Sequence, residues 1–245
     1  MPPLQTFRYS HFPANVVLRK VELMSKIAFE MRDQMGGMSE TEFEDAMGLS
    51  KADFLAYLDD AAIAEQRCKA DLGKSATGFS AHTLADDGSL SSGLFTLSDL
   101  QGAPSALIFG CYTCPIFRRQ MDRMKDLIAE YGDQVQFVFV YVLEAHPTDG
   151  WNTNSNRADN VLYAQPTSLE DRAMVARDWR DAYGYKAPVV LDWPDNRINA
   201  DYAGEPERLY VLDSHGIVTF KSEQGPYYDS HLEDWAAALA EVVRA

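Results

Sequence analysis

A short apolar run that leads directly into a proline-initiated helix pattern is the feature that most constrains the fold of this chain. Residues 106–110 are apolar, as is typical of a buried central strand. From Pro115 to about Tyr131, apolar residues recur at helical spacing, and proline is favoured at the first position of a helix. The sequence therefore predicts a strand, a loop and a helix in direct succession, with Cys114 capping the helix.

The predicted cap position gives Cys114 a chemical role. Its thiol would face unpaired backbone N–H groups and the positive end of the helix dipole, and both favour the thiolate. Cys111 lies three residues earlier, which makes a Cys-x-x-Cys motif beside a strand–helix unit. Because Cys114 starts the helix, we interpret it as the nucleophile and Cys111 as the resolving thiol. Two buried structural cysteines are the alternative.

Composition narrows the class of protein. With 245 residues, 46% of them hydrophobic, the chain can form one large domain or a domain with an extension. A net charge of −15 argues against nucleic acid and anionic membranes as partners. Two short helices predicted around Gly48 could suggest a DNA-binding helix-turn-helix, but the negative charge disfavours it. We find no long apolar run and no signal peptide at the start of the sequence. Three cysteines fit a reducing cytoplasm, and nothing predicts a metal site.

The first 77 residues read as a helical N-terminal extension. Residues 16–35 have helical spacing and end at two glycines, and Ser39 with Glu42 forms a capping-box pattern. A further helix is predicted from Ser50 to about Leu72. Residues 78–245 are then expected to form the second part of the chain.

Strands separated by helices characterise that second part. Strands are predicted at 82–84, 94–97, 135–143 and 188–192, with a helix at 168–183. A hairpin of 208–212 and 217–221 precedes a last helix capped near Ser230. Loops are predicted at 144–167 and 192–205. The fold class is therefore α/β, and a cysteine at the first strand–helix junction is the thioredoxin-like arrangement.

Five segments carry a resemblance to a known family. They are residues 109–117 (FGCYTCPIF), 141–151 (YVLEAHPTDGW), 168–172 (SLEDR), 207–211 (ERLYV) and 225–226 (GP). Together they resemble the iodothyronine deiodinases, which are thioredoxin-fold enzymes that reductively remove iodine from thyroid hormones. The resemblance covers roughly residues 95–243 and leaves the N-terminal helices uncovered.

The resemblance assigns roles to individual residues. Cys114 stands where the family has selenocysteine. Tyr141, Glu144 and His146 match the active-site region, with His146 implicated in holding the substrate phenol. Alternative interpretations stay open for all three residues. Tyr141 could simply belong to the core, and Glu144 could be a structural carboxylate that bonds loop N–H groups. His146 could be a loop residue capped by Asp149.

Glu207 matches an active-site glutamate of the family. Aligned on the hairpin, Glu207 takes the place where thioredoxins have a cis-proline beside the nucleophile, with Pro206 just before it. A carboxyl group there could relay protons to Cys114. A simple ion pair of Glu207 with Arg208 or Lys221 is the alternative.

The chain also departs from the family pattern. It has Cys111 where the family has serine, Pro166 where the family has histidine, and Gln224 where the family has an arginine that is thought to hold the hormone carboxylate. The resemblance places His146, Trp151 and Gln224 in the substrate site. Other loop aromatics could line an aromatic-ligand site, namely Tyr163, Trp193, Tyr227 and Tyr228.

The expected function is that of a thiol-dependent oxidoreductase that removes iodine from a small aromatic substrate. No cofactor motif is present, so an external thiol, dithiol or thioredoxin-like protein would serve as reductant. A thiol peroxidase or disulfide reductase is the alternative, and a non-catalytic redox-sensing module is another. The resemblance also implies a homodimer.

Overall fold

Two parallel strands form the centre of the sheet that carries the cysteine motif. The computed structural model describes residues 37–225 and 229–244. Its strands are β1 (Ser80–Leu84), β2 (Leu90–Thr96), β3 (Ser105–Gly110), β4 (Gln136–Tyr141), β5 (Val189–Leu191), β6 (Arg208–Leu212) and β7 (Val218–Lys221). They form one seven-stranded sheet in the order β2-β1-β5-β4-β3-β6-β7. Strand β4 pairs in parallel with β3 and β5, and the other pairings are antiparallel.

Helices cover both faces of this sheet. They are α1 (Glu40–Met47), α2 (Lys51–Arg67), α3 (Pro115–Tyr131), α4 (Asn154–Asp159), α5 (Leu169–Tyr183), α6 (Arg197–Tyr202) and α7 (Asp229–Val242), with a 3-10 turn at Leu97–Leu100. Because parallel strands need crossover connections, α3 links β3 to β4 and α5 lies between β4 and β5. The α/β prediction is confirmed.

The central strands bury both of their faces. Alternate side chains of β4 enter two different clusters, as the period of a strand requires. On one face, the Phe139 ring stacks on Trp179 of α5 with ring centroids 4.1 Å apart. On the other face, Phe109 stacks on Tyr202 of α6 at 5.1 Å. Because the central strands are packed on both faces, the loop that follows β3 is attached to a tightly packed sheet.

A third and smaller cluster joins α1 and α2 to the rest of the structure. Phe43 and Phe54 are buried there, and Trp151 packs against them. The Glu65 carboxylate of α2 binds Arg208 and also Lys221, the latter at 3.0 Å. An apolar contact and an ion-pair contact therefore fix α2 next to the first residues of β6.

Most predicted elements are observed, with differences at their ends. Helix α3 has the predicted bounds, and Ser168 caps α5 by accepting from Asp171 N. Helix α2 stops at Arg67 instead of Leu72, because the N–H groups of Lys69 and Ala70 donate to the Asp201 carbonyl. Helix α7 begins at Asp229, ahead of the predicted cap at Ser230.

Two predicted loops contain short helices that the sequence did not reveal. These helices are α4 in loop 144–167 and α6 in loop 192–205. Each has six residues, which is too short for an apolar period to appear. The helix predicted at 16–35 lies outside the described residues. The division of the chain at residue 77 stays a prediction.

Candidate active site at the start of helix α3

The Cys114 thiol lies at the first turn of α3, as the sequence predicts. Cys114 is the N-cap residue with extended backbone, and Pro115 is the first helical residue. The Sγ atom accepts a hydrogen bond from Phe117 N at 3.5 Å. Only 2% of the residue is exposed, so the thiol lies almost entirely inside the protein.

Burial overrides the effect of the helix on the Cys114 thiol. Burial raises the pKa of Cys114, and the Glu207 carboxylate raises it further. The N–H groups of Phe117 and Ile116 act in the opposite direction without compensating. The expectation of a thiolate stabilised by the helix dipole is therefore wrong for the net pKa, because desolvation is the larger effect. The resting group is the thiol.

Cys111 lies on the inner side of the same loop. It is fully buried, and its Sγ accepts from Ala145 N at 3.2 Å. Burial raises the pKa of Cys111, and the Glu144 carboxylate raises it further. Cys111 and Cys114 belong to the same buried cluster. Both cysteines are free. A buried second thiol next to Cys114 is the arrangement that resolution through a disulfide requires.

Tyr141 and Glu144 hold the loop between the two cysteines. The Tyr141 hydroxyl donates to Glu144 Oε1 at 2.5 Å and accepts from Tyr112 N at 3.0 Å. The other carboxylate oxygen of Glu144 accepts from Thr113 N at 2.9 Å. Both side chains are buried, and burial raises the pKa of each. The geometry supports a structural role for Glu144, whose carboxylate binds a backbone N–H of the loop. Tyr141 helps to hold the same loop in position.

His146 and Trp151 form one wall near the thiol. Their rings meet edge to face, with centroids 4.4 Å apart. Trp151 Nε1 donates to the Met47 carbonyl at 2.7 Å, and His146 N donates to Thr113 Oγ1 at 3.1 Å. Burial lowers the pKa of His146 to about 4, partly opposed by the Trp151 backbone, so its imidazole is neutral near pH 7. Asp149, the cap considered for His146, accepts instead from Gln165 N.

A cavity of about 400 Å³ opens beside Cys114. Its lining is mostly apolar and comes from four regions: helices α1 and α2, the start of α3, residues 146–155, and Pro206 ahead of β6. The lining residues are Ala46, Met47, Phe54, Tyr57, Leu58, Cys114, Pro115, Ile116, Arg119, His146, Trp151, Thr153, Asn154, Ser155 and Pro206. A cavity of this size and polarity suits a small aromatic ligand.

Glu207 approaches Cys114 from the start of β6. It is fully buried, and its carboxylate is close enough to raise the pKa of Cys114. Gly225 N donates to the Glu207 carbonyl at 3.0 Å, and a Cβ at Gly225 would lie 2.5 Å from Glu207 Cγ. Glycine at 225 therefore leaves room for this side chain. Arg208 and Lys221, the partners considered for Glu207, both bind Glu65.

The cis-proline beside the thiol is Pro206. The Glu205–Pro206 peptide bond is cis, and Pro206 lines the cavity with Cys114. The alignment on the hairpin, which put Glu207 in this place, is therefore wrong by one residue. Glu207 follows the cis-proline in sequence, and its carboxylate raises the pKa of the Cys114 thiol.

A family model for iodothyronine deiodinase matches residues 49–241. The chain belongs to the iodothyronine deiodinase family. Human thyroxine 5-deiodinase is 36% identical over 134 residues, which are 54% of this chain and 42% of the human protein. Type I iodothyronine deiodinase from Xenopus laevis is 34% identical over 129 residues, which are 52% of this chain and 49% of that protein. The alignments thus span less than half the length of these deiodinases.

Solved structures share the fold of this deiodinase family member. A chain described as a thiol:disulfide interchange protein DsbE from Chlorobium tepidum has a TM-score of 0.50 and 17% identity, covering 71% of this chain and 99% of that chain. An uncharacterized conserved protein from Geobacillus kaustophilus has a TM-score of 0.51 and 17% identity, covering 71% and 82%. The predicted thioredoxin-like fold is confirmed.

Some residues that the sequence analysis offers for a substrate site lie away from the cavity at Cys114. Gln224 lines a separate cavity of about 440 Å³ and donates to the Glu205 carbonyl at 2.5 Å. Tyr163 packs against Tyr112, and Trp193 packs against His82. Tyr227 and Tyr228 lie outside the described residues. Trp151 is the only one of these loop aromatics, within the described part of the chain, that lines the cavity at Cys114.

The deiodinase motifs did not reveal the part of the site that α2 contributes. Phe54, Tyr57 and Leu58 recur at helical spacing and line the cavity, although α2 lies in the predicted N-terminal extension. That periodicity shows a buried face but not what the face covers. Within residues 37–225 and 229–244, no three side chains of His, Cys, Asp or Glu are grouped to hold a metal ion. No helix in these ranges is long and apolar enough to cross a membrane.

Proposed function

We propose that this protein is a thiol-dependent oxidoreductase that removes iodine, or another heavy halogen, from a small aromatic substrate. The observation that carries the proposal is the Cys114 thiol at the wall of an apolar cavity that also contains a neutral imidazole. Membership of the iodothyronine deiodinase family supports it. The curated relatives are named for the removal of iodine from thyroxine and iodothyronines.

The first step is attack of the Cys114 sulfur on the halogen. The carbon–iodine bond breaks with its electron pair on the ring carbon, and a sulfur–iodine bond forms. The proton that leaves the thiol is transferred to the ring carbon. The ring is thereby reduced, and Cys114 is oxidised to a sulfenyl iodide. Because burial keeps Cys114 protonated, a base must take its proton, and Glu207 is the carboxylate placed to do so.

The second step releases iodide through Cys111. Its sulfur attacks Cys114 Sγ, the sulfur–iodine bond breaks, and iodide leaves together with the proton from Cys111. The product is a Cys111–Cys114 disulfide. An external dithiol, either a small molecule or a thioredoxin-like protein, then reduces this disulfide and restores both thiols.

His146 orients the substrate in this scheme. A neutral imidazole can donate to or accept from a substrate phenol without adding a buried charge. Trp151 packs against the imidazole ring and adds an aromatic surface to the same wall. A peroxide would not use this apolar surface, and for that reason halogen removal is favoured over peroxide reduction.

An iodide-release assay tests the proposal. Purified protein is incubated with dithiothreitol and with iodinated phenols, including thyroxine, and compared with Cys114→Ser and Cys68→Ser. Cys68 lies away from the cavity, against Tyr210, and serves as the matched control. We expect iodide from the unmodified protein and from Cys68→Ser, and none from Cys114→Ser.

A single-turnover experiment without reductant tests the resolution step. Intact-mass spectrometry is expected to detect a Cys111–Cys114 disulfide after one equivalent of iodide is released, and to detect none in Cys111→Ser. Rapid oxidation of Cys114 by stoichiometric hydrogen peroxide, with no iodide from any iodinated phenol, would replace this proposal with peroxide reduction.

A further inference from the structure

Helix α3 carries four basic side chains, and Arg119 differs from the other three. Those three form ion pairs: Arg118 with Asp159, Arg123 with Glu233, and Lys125 with Asp122. Arg119 forms no ion pair with any residue in the described part of the chain. The chain has 37 acidic residues against 22 basic ones, so an arginine of this helix without an acidic partner among the described residues is unusual.

The position of Arg119 directs it to the cavity at Cys114. Pro115, Ile116 and Arg119 have the spacing that places side chains on one face of a helix, and all three line this cavity. Arg119 is exposed, whereas the Cys114 thiol is almost fully buried. The guanidinium group therefore lies at the mouth of the cavity, and the thiol lies at its inner end.

Arg119 also supplies the cationic charge of the lining. His146 is neutral near pH 7, and the remaining polar residues of the lining, Thr153, Asn154 and Ser155, carry no charge. A ligand that fills this cavity meets apolar side chains inside and one guanidinium at the entrance. Guanidinium groups bind planar carboxylates through paired hydrogen bonds.

We propose that Arg119 binds a carboxylate of the substrate, so that the ligand of this site is an aromatic carboxylic acid. Its ring occupies the apolar cavity beside Cys114, and its acid group stays at the mouth near Arg119. This assignment of the substrate class rests on the proposed function for the reaction at the ring. The binding preference itself needs only the cavity and the cation.

A binding experiment on Cys114→Ser tests this assignment without any turnover. Calorimetry compares hydroxyphenylpropanoate with hydroxyphenylpropanol, which has the same ring and chain but no charge. We expect the carboxylate to bind about five- to tenfold more tightly, a modest factor because Arg119 is exposed to solvent. Adding Arg119→Ala should abolish the preference, and Arg119→Lys should retain part of it.

Arg123→Ala is the matched control, because Arg123 is a half-exposed arginine of the same helix that does not line the cavity. It should keep the full preference for the carboxylate. Equal affinity for the two compounds before any change at Arg119, an unchanged preference in Arg119→Ala, or no binding of either compound would overturn the assignment.

The outcomes separate this assignment from the proposed function. A preference that depends on Arg119, in a protein that never releases iodide, would refute the reaction and leave the assignment standing. Iodide release with the same KM for anionic and neutral iodinated phenols, unaffected by Arg119→Ala, would refute the assignment and leave the reaction standing.

Discussion

The Tyr141 hydroxyl donates a 2.5 Å hydrogen bond to the Glu144 carboxylate inside the protein. The same carboxylate accepts from Thr113 N, which belongs to the loop that joins Cys111 and Cys114. The end of β4 therefore sets the position of the reactive loop through buried polar contacts. Such contacts are costly to break, because a group that loses its partner stays out of water.

Replacing Tyr141 by phenylalanine is expected to lower the free energy of unfolding by about 1–3 kcal/mol. The change leaves Glu144 and the Tyr112 N–H each short of a buried hydrogen bond. Denaturation by urea measures the effect. Tyr185→Phe is the control, because the Tyr185 hydroxyl is buried without a hydrogen-bond partner among the described residues. Equal losses in the two variants would contradict the positioning role of Tyr141.

Adding a methyl group at Gly110 should disturb the base of the active site. A Cβ there would lie 2.9 Å from the Phe117 ring, which stacks on Phe139 and has little room to move. We expect Gly110→Ala to cost about 1–3 kcal/mol in unfolding free energy, as overpacked cores do. Gly93→Ala is the control, because no atom lies within 4 Å of the added carbon. It should have little effect on the unfolding free energy, and thermal and urea denaturation measure both variants.

The His146 imidazole is expected to stay neutral down to mildly acidic pH. Its pKa in the folded protein is lowered to about 4 by burial, below the ordinary value of 6.5. The contribution of the neutral His146 side chain to the free energy of unfolding is therefore complete above pH 6.5, and it is lost as the pH falls toward 4. NMR of the ring should show no titration between about pH 8 and pH 5. A midpoint near 6.5 for the signal that His146→Gln removes would show that the ring is solvated.

Glu205 should make stability fall as the pH rises. Burial raises the pKa of Glu205 from 4.5 to about 7, with the Asp60 charge adding to the shift. The contribution of the protonated Glu205 side chain to the free energy of unfolding is complete below pH 4.5, and it is lost as the pH rises through about 7. We expect Glu205→Gln to be more stable than the unmodified protein at pH 8 by an amount on the order of 2 kcal/mol, reduced by partial exposure of the residue.

The comparison for Glu205 is made by urea denaturation at several pH values. The advantage of Glu205→Gln should disappear near pH 4, where the unmodified side chain is protonated in both states. Asp60→Asn should give a smaller change of the same sign, because Asp60 is the lesser cause of the shift. A pH-independent difference between Glu205→Gln and the unmodified protein would contradict the shifted pKa.

Local sequence signals were sufficient for the element that carries the nucleophile. The proline at position 115 and the apolar period after it gave the bounds of α3 and the cap at Cys114. The nearly continuous apolar run of β4 is typical of a strand buried on both faces, and both faces are buried. These signals lie within one element, so they can be read without knowing what packs against it.

Properties that depend on packing could not be predicted in this way. The pKa of Cys114 depends on how much protein covers the thiol, and its rise reverses the expectation from the helix dipole. The part of the cavity lined by Tyr57 depends on where α2 docks, through the distant partners of Glu65. Helix α4 is too short to show a period, yet its Asn156 binds Arg118 at 2.7 Å behind the reactive loop.

Helix α2 closes the cavity, but it lies far in sequence from the cysteine motif. The cysteine pair and the part of the cavity wall formed by α2 thus come from separate stretches of the chain. Substitutions at Phe54, Tyr57 or Leu58 can reshape the entrance while the sulfur pair and its loop stay as they are. The shape of the cavity and the cysteine loop can therefore change independently of each other in this protein.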